Sequence, residues 1–429
     1  MPERHDDVAT IIMAGGQGKR LFPLTLNHCK PAVPFGGRYR LIDIPISNSI
    51  HADLRKIFVL GQYLTAELEH HLRQSFSFDW FFPGSLDFLT PEERPNGEKV
   101  WFEGTADSVR KCMPTLEKCS AEYFLILSGD QLYSMNFRKF ISFAKEKEAG
   151  LTIATIPVKM QDASRLGLMK INEDNLITDF LEKPQDVSLL PPFELPRKFR
   201  KHWNGEQNLE LKYLASMGIY LFKREVLFSL LKGDDREDFG KHLIPKEIKN
   251  KNSYGYIYEG YWEDIGTVAS FYEANLALTN GESGLNTYDD TKPIFTRASF
   301  LSGPKISGTV VNHSIICEGS MIEAKEISDC VIGMRSFIKK GSILRKTITL
   351  GSQFYFPVVH EDRQPCQSFY VGEDCHIEKA ILDEHVHIGN KVKLINEKKL
   401  STYDGEGIFI RDGIIIVTAG TVIPDNFVL

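Results

Sequence analysis

Cysteine is sparse and shows no pairing pattern: seven residues in 429, an odd number with no Cys-x-x-Cys spacing. That excludes a disulfide framework and a cysteine-built structural zinc site, and it fits a reducing compartment. No stretch approaches the length of a membrane span. The opening Met1-Pro2-Glu3-Arg4-His5-Asp6-Asp7 lacks both an apolar signal core and the Arg- and Ser-rich character of a transit peptide, so a soluble cytoplasmic chain is expected. Positive charge is outnumbered by negative, with 51 Lys and Arg against 57 Asp and Glu. A net charge of −6, a pI near 6.1 and the absence of any long basic block exclude general nucleic-acid and anionic-membrane partners. Anionic substrates must be met by local cations. At 429 residues the chain exceeds the usual single core, so two domains are expected.

What is present begins with an apolar run, Val8 to Ala14, that reads as a buried parallel strand. The turn beyond it, Gly15-Gly16-Gln17-Gly18-Lys19-Arg20, would stand at the carboxyl end of an open α/β sheet, where such sheets bind ligands. Its glycines let backbone N–H groups approach phosphate oxygens, while Lys19, Arg20 and Lys30 supply countercharge. It is not a P-loop, because Arg20 follows Lys19 where Ser or Thr is needed and Met13 occupies a required glycine position. Nor is it a dinucleotide fingerprint, because Leu21 stands where the third glycine would be.

Further along, strand-like runs at Ile57 to Leu60 and Tyr123 to Leu127 alternate with helical segments Thr65 to Arg73 and Thr105 to Lys118. This predicts a doubly wound, mainly parallel sheet of Rossmann-like type. Phe78 to Gly97 and Gln185 to Leu209 read as insertions without elements of their own, the second carrying a basic run Arg197 to Lys201. The polar, turn-rich stretch around 281–293 reads as a linker between a catalytic domain (1–280) and a second domain (294–429).

In that second domain aliphatic residues recur every six positions. The series are Val310-Ile316-Ile322, Ile332-Ile338-Leu344-Leu350, Leu382-Ile388-Leu394 and Ile410-Ile416-Val422-Val428. With Gly333, Gly351, Gly372 and Gly389 interspersed, this predicts a parallel β-helix of triangular coils, interrupted by a loop at 353–369. Its expected role is a scaffold for subunit packing.

The turn extended as Arg20-Leu21-Phe22-Pro23-Leu24-Thr25 resembles the signature of sugar-nucleotide pyrophosphorylases, and the run Lys30-Pro31 to Ser47-Asn48 narrows the likeness to the glucose-1-phosphate adenylyltransferase branch. The resemblance covers nearly the whole chain and implies a left-handed coil, Mg²⁺ as cofactor, ATP and glucose 1-phosphate as substrates, and a homotetramer. It carries over residue by residue. Gly15, Gly16, Gly18, Arg20, Lys30, Gln62, Gly104 and Thr105 fall on the nucleotide side; Phe102, Gly167, Glu182, Lys183 and Ser216 on the sugar phosphate.

Asp130, after the strand-like Leu125 to Ser128, and Asp264, in Trp262-Glu263-Asp264, match the metal carboxylates; with Arg20, Lys30 and Lys183 they form the implied catalytic set. By that likeness Mg²⁺ bridges the α-phosphate and the attacking oxygen. A sugar phosphate is already close to doubly ionised at neutral pH, with a second pKa of about 6, so no protein base is required. The task is electrostatic: two polyanions must be aligned and the departing pyrophosphate stabilised. Phosphoryl specificity stays open at this stage, since another nucleotide or sugar, or a non-catalytic regulatory subunit, would share the fold.

The family's phosphorylated-activator pocket is altered in this chain. Arg40 and Lys379 remain as possible effector residues, whereas Glu378-Lys379 replaces the start of a basic pair, Ala419 a lysine, and His28 and His70 two arginines. Neutral or titratable histidines there would weaken binding of a 3-phosphoglycerate-like anion.

Overall fold

The computed structural model describes residues 5–79, 83–91, 101–195, 210–281, 283–355 and 368–429. Nine strands form the first sheet: β1 (Val8–Ala14), β2 (Lys56–Gly61), β3 (Ser85–Leu89), β4 (Tyr123–Ser128), β5 (Leu151–Lys159), β6 (Gly167–Ile171), β7 (Ile177–Glu182), β8 (Leu211–Lys223) and β9 (Ser253–Ile257). The set β3–β2–β1–β4 is parallel throughout. Since β1 lies between β2 and β4, the chain reverses its winding direction there, and a crevice opens beyond its carboxyl end.

The apolar run of β1 serves two cores. Ala9 and Ile11 face one, with Val109, Leu116 and Leu227; Val8, Ile12 and Ala14 face the other, with Leu68, Leu72 and Phe140. Helices therefore cover both faces, which is why the strand reads as unbroken apolar sequence rather than as alternation. β8 then runs antiparallel to β4 and β5, extending the sheet on that side.

Three local expectations are corrected. The segment 78–97 does contain an element: Ser85–Leu89 pairs in parallel with β2, and its alternating Leu86 and Phe88 pack against the second core. Its period-2 pattern is short and lies among Gly and Pro, which masked it; residues 80–82 and 92–97 lie outside the described residues. The helix expected over 105–118 breaks at Cys112 into Thr105–Lys111 and Met113–Leu116, because Pro114 lacks the N–H that a continuous helix requires. Within 185–209, short helical turns at Val187–Leu189 and Pro191–Phe193 bury Leu190 and Phe193 in a small cluster with Val158, Leu168 and Tyr213. The basic run there lies outside the described residues.

The second domain is a parallel β-helix with three ladders of short strands. One joins Lys305–Ile306, Met321–Ile322, Phe337–Ile338, Tyr370–Val371, His387–Ile388 and Val422–Ile423. Ile322, Ile332, Ile338, Leu344, Leu382, Ile388, Leu394 and Ile410 are fully buried, as the six-residue spacing predicts. The corners between the other two ladders are residues in the left-handed region: His313, Asp329, Lys346 and Lys379.

The predicted spacing fails at the ends. Val310, Val422 and Val428 are 59%, 56% and 63% exposed, and the inward residues of the last turn are Val417 and Ile423. The frame slips by one because an antiparallel hairpin, Ile408–Arg411 with Ile414–Val417, interrupts the coil. Ile416 and Leu350 instead join Val331, Ile348 and Ile381 in an outward face that packs on Leu21, Phe35, Phe271 and Tyr272 of the first domain. Tyr272 also donates its hydroxyl hydrogen to the Lys346 carbonyl at 2.6 Å. Among the described residues no helix is long and apolar enough to cross a membrane.

This frame predicts unequal costs for two substitutions six residues apart. Ile416→Ala should destabilise the protein by about 2–5 kcal/mol through a cavity at the domain junction. Val422→Ala should stay within about 0.5 kcal/mol, as for other exposed positions. Urea unfolding of both variants measures the difference.

Candidate active site

Beyond the carboxyl ends of β1, β2 and β4 lies a cleft of about 570 Å³ lined by the glycine turn, Lys30, Gln62, Tyr63, Gly104, Thr105 and Asp130. A second cavity, about 220 Å³, is lined by Arg20, Gly167, Glu182, Lys183, Ser216 and Asp264. Met13, Thr105 and Ser128 border both, so the two are lobes of one site.

The first lobe is a backbone cradle. Gly18 takes φ +62°, and a Cβ there would lie 2.8 Å from Thr25 Cγ2, so this turn requires glycine. A Cβ on Gly16 would meet nothing within 4 Å, which leaves its backbone open toward the cleft. Gln62, at the end of β2, braces the cradle: its amide donates to the Gly15 carbonyl at 2.9 Å and the Phe102 carbonyl at 3.2 Å, and its oxygen accepts from Phe102 N–H at 2.8 Å.

Phe102 departs from its expected place. It is buried among core residues and borders the first lobe, not the sugar-phosphate lobe, because Gln62 pins its backbone beside the glycine turn. Gly104 lies against the Glu237 carbonyl, where a Cβ would come within 2.4 Å, and the same carbonyl accepts the N–H groups of Ala106 and Asp107 at the start of the helix. Thr105 Oγ1 accepts from Phe239 N–H at 3.0 Å, tying the 237–239 loop between the lobes.

At the meeting point stand two carboxylates. Asp130 follows β4, and the short strand Gln131–Tyr133 pairs antiparallel with Trp262–Asp264, placing Asp264 opposite Gln131. That ribbon brings together residues more than a hundred positions apart in sequence. Burial pushes the Asp130 carboxyl up, but the Lys30 ammonium paired with it and the Ser128 hydroxyl outweigh burial and hold it below its ordinary range. Asp264 is pushed up by burial and by the charge of Asp130, against the pull of Lys30, Arg20 and Lys183. Two largely desolvated carboxylates that repel each other, with room for phosphate oxygens, suit a hard divalent cation held through one or two carboxylates, and the donor set fits Mg²⁺. Arg20 reaches the same point: a Cβ on Gly266 would lie 3.4 Å from both Arg20 Nη2 and Asp264 Oδ2.

In the second lobe Lys183 sits at the end of β7 with φ +44° and forms a 3.3 Å ion pair with Glu182. Gly167 and Gly240 leave room for the Glu182 carboxylate, since a Cβ on either would come within 3 Å of it. Ser216 accepts from Gly218 N–H at 3.1 Å in the bulge of β8.

This arrangement can hold a polyphosphate at one end and a phosphorylated polar ligand at the other, with a metal-competent pair between. Residues 9–281 match the model of the nucleotidyl transferase family. The chain belongs to that family. Residues 299–428 match the GLGC left-handed parallel β-helix domain, which gives the hand of the coil. A nucleotidyl transferase domain followed by this coil is the characteristic architecture of glucose-1-phosphate adenylyltransferase.

Several residues of this nucleotidyl transferase site had escaped the sequence reading. Gly240 and the Glu237 carbonyl act through steric room and a backbone acceptor, which leave no side-chain signal. Tyr63 adjoins Gln62 and stacks on Trp101 with ring centres 5.4 Å apart at the cleft mouth, a pairing that only the fold creates.

The two effector candidates are not brought together. Arg40 borders a junction cavity of about 320 Å³ that Lys379 does not line; Lys379 is a corner of the coil, beside Gly413. Arg40 is itself engaged, with Glu67 at 2.7 Å and the Ala32 carbonyl. His28 is not a neutral substitute for arginine. Burial would depress its imidazole, but Asp383, Glu67 and Glu384 override burial and raise it well above the ordinary range.

Gly104→Ala tests the cradle. Its methyl group would displace the Glu237 carbonyl and the helix start, and a shift of that size should lower kcat/KM by about 10²-fold; steady-state kinetics against the nucleotide check it.

Proposed function

We propose that the protein transfers AMP from ATP to α-D-glucose 1-phosphate, releasing pyrophosphate and forming ADP-glucose for glycogen or starch synthesis. The observation that carries this reading is the two-lobed cleft meeting at Asp130 and Asp264, in a nucleotidyl transferase that bears the GLGC coil. The glycine turn holds the triphosphate, and Lys183 with Glu182 and Ser216 holds the sugar phosphate. The phosphate oxygen of the sugar attacks the α-phosphorus, and the bond to the pyrophosphate oxygen breaks in line with it. Mg²⁺ held by Asp130 and Asp264 would neutralise charge on the reacting phosphates.

Lys30 is paired with Asp130 in the free protein, so an incoming triphosphate exchanges that partner. The ammonium then moves from carboxylate to phosphate and countercharges the leaving pyrophosphate together with Arg20. Arg20→Ala should lower kcat by about 10²–10³-fold while changing nucleotide affinity less, as for a group that meets charge developing in the transition state. Equal turnover at saturating substrate would refute that role.

The reading itself is tested by pyrophosphate release with Mg²⁺, glucose 1-phosphate and ATP, GTP or UTP in turn. ATP-selective release that disappears in Asp130→Ala supports it. Release with another nucleotide moves the assignment to a different pyrophosphorylase, and none with any points to a regulatory subunit. Because Arg40 is occupied by carboxylates and Lys379 lies outside the junction cavity, activation by 3-phosphoglycerate should be weak or absent. A saturable, many-fold activation at low concentration would contradict this. Light scattering checks the homotetramer implied by family likeness.

A further inference from the structure

We propose that Phe409 and Arg411, on the hairpin that interrupts the β-helix, are positioning residues for Arg20. They act on it through Phe22, and so tie the coil to the turn that carries a substrate cation. The hairpin's sequence gives it two faces, because side chains alternate along its strands. Ile408, Ile410, Ile415 and Val417 point into the coil and join its core. Phe409, Ile414 and Ile416 point the other way and pack on the first domain beside Leu21 and Leu24. Arg411 stands opposite Ile414 in the register and shares that outward face.

Phe409 and Arg411 close on one ring of the first domain. Phe22 and Phe409 form an edge-to-face pair with ring centres 5.4 Å apart at 81°, the geometry that sets a positive ring edge against a negative face. The Arg411 guanidinium carbon lies 5.5 Å from the centre of Phe22 and 5.6 Å from that of Phe409, within cation–π reach of both. Arg411 is itself fixed. It donates to the Ile410 carbonyl at 2.8 Å, to the Tyr403 carbonyl at 3.0 Å and to the Asp404 carboxylate. Two of these acceptors come from the strand Thr402–Asp404, which pairs with Ile408–Arg411.

Phe22 lies two residues beyond Arg20. Leu21 between them is fully buried, and the N–H groups of Leu21 and Phe22 close the turn on the Gly18 and Lys19 carbonyls at 2.9 and 3.3 Å. The other side of Phe22 is open: with Gln17, Lys19 and Tyr63 it borders a cavity of about 400 Å³. The ring is therefore held from the hairpin side. Lys30 is paired with Asp130, whereas Arg20 makes no ion pair among the described residues, so its place near Asp264 depends on the turn that carries it. A shift of that turn moves the guanidinium, and misplacement by about 1 Å can lower a rate by about 10²-fold.

The test has two arms on the full-length protein. Hydrogen exchange without substrates should show the Leu21, Phe22 and Leu24 amides exchanging faster in Phe409→Ala and Arg411→Met, with β1 and β4 unchanged. The kinetic arm rests on the transfer reaction proposed above. At saturating ATP and glucose 1-phosphate, Phe409→Ala should lower kcat by about 10–100-fold with a smaller change in KM, and Phe409→Tyr, which keeps the ring, should restore it. In an Arg20→Ala background Phe409→Ala should change kcat by less than about twofold, since the group it positions is gone. A merely structural contact would give additive losses instead. Circular dichroism identifies any variant that fails to fold; Phe22→Leu then removes the same contact from the other side and should behave alike. Unchanged exchange in folded variants, or normal kcat in Phe409→Ala when Arg20→Ala is impaired, would overturn the proposal. Normal turnover in Arg20→Ala would refute the reaction role given to Arg20, and exchange alone would then decide whether the hairpin holds the turn.

Discussion

Two carboxylates sharing one partly desolvated point, Asp130 and Asp264, are the constraint around which the catalytic half is arranged. Left alone they repel, and the neighbouring cations answer that repulsion: Lys30 pairs with Asp130 while Arg20 and Lys183 draw Asp264 down. The same cations are those a triphosphate and a sugar phosphate would need. Lys30 is thus held in place by its pairing with Asp130, and part of the positive charge at the cleft is fixed before any ligand arrives.

The scaffold places this charge where a parallel sheet is best able to receive it. β1 and β4 end at the switch point, the glycine turn and Asp130 emerge side by side from them, and the Gln131–Tyr133 ribbon brings Asp264 across from a distant part of the chain. Among the described residues, none of the β-helix lines the cleft. It packs Val331, Ile348, Ile381 and Ile416 against Leu21 and Phe35, which flank the segment carrying Lys30. Movement at that interface would therefore reach the active-site loop through packed side chains.

Much of this was legible in the residues. The apolar run of β1, the glycines beyond it and the six-residue spacing between 322 and 344 have strong local causes: burial on both sheet faces, a backbone conformation that excludes a Cβ, and one inward residue per side of a coil. The resemblance of motifs then grouped Arg20, Lys30, Asp130, Lys183 and Asp264, and the structure gathers all five around one cleft. Misreadings arose where a signal was short or displaced by one residue. The strand Ser85–Leu89 sits among turn formers, Phe102 is fixed by a hydrogen bond from a residue forty positions away, and a hairpin shifts the last coil so that Ile416 faces outward.

By itself, then, the sequence determined the strand that starts the sheet, the phosphate-ready turn and the coil, because each depends on neighbours within a few residues. Tertiary structure alone decided the rest. It set the protonation of His28, which depends on Glu67 from a helix and Asp383 and Glu384 from the coil. It also set the separation of Lys379 from Arg40 and the room that Gly240 leaves for Glu182. Electrostatic and steric effects of this kind act through space over a few ångströms, and spacing along the chain carries no record of them.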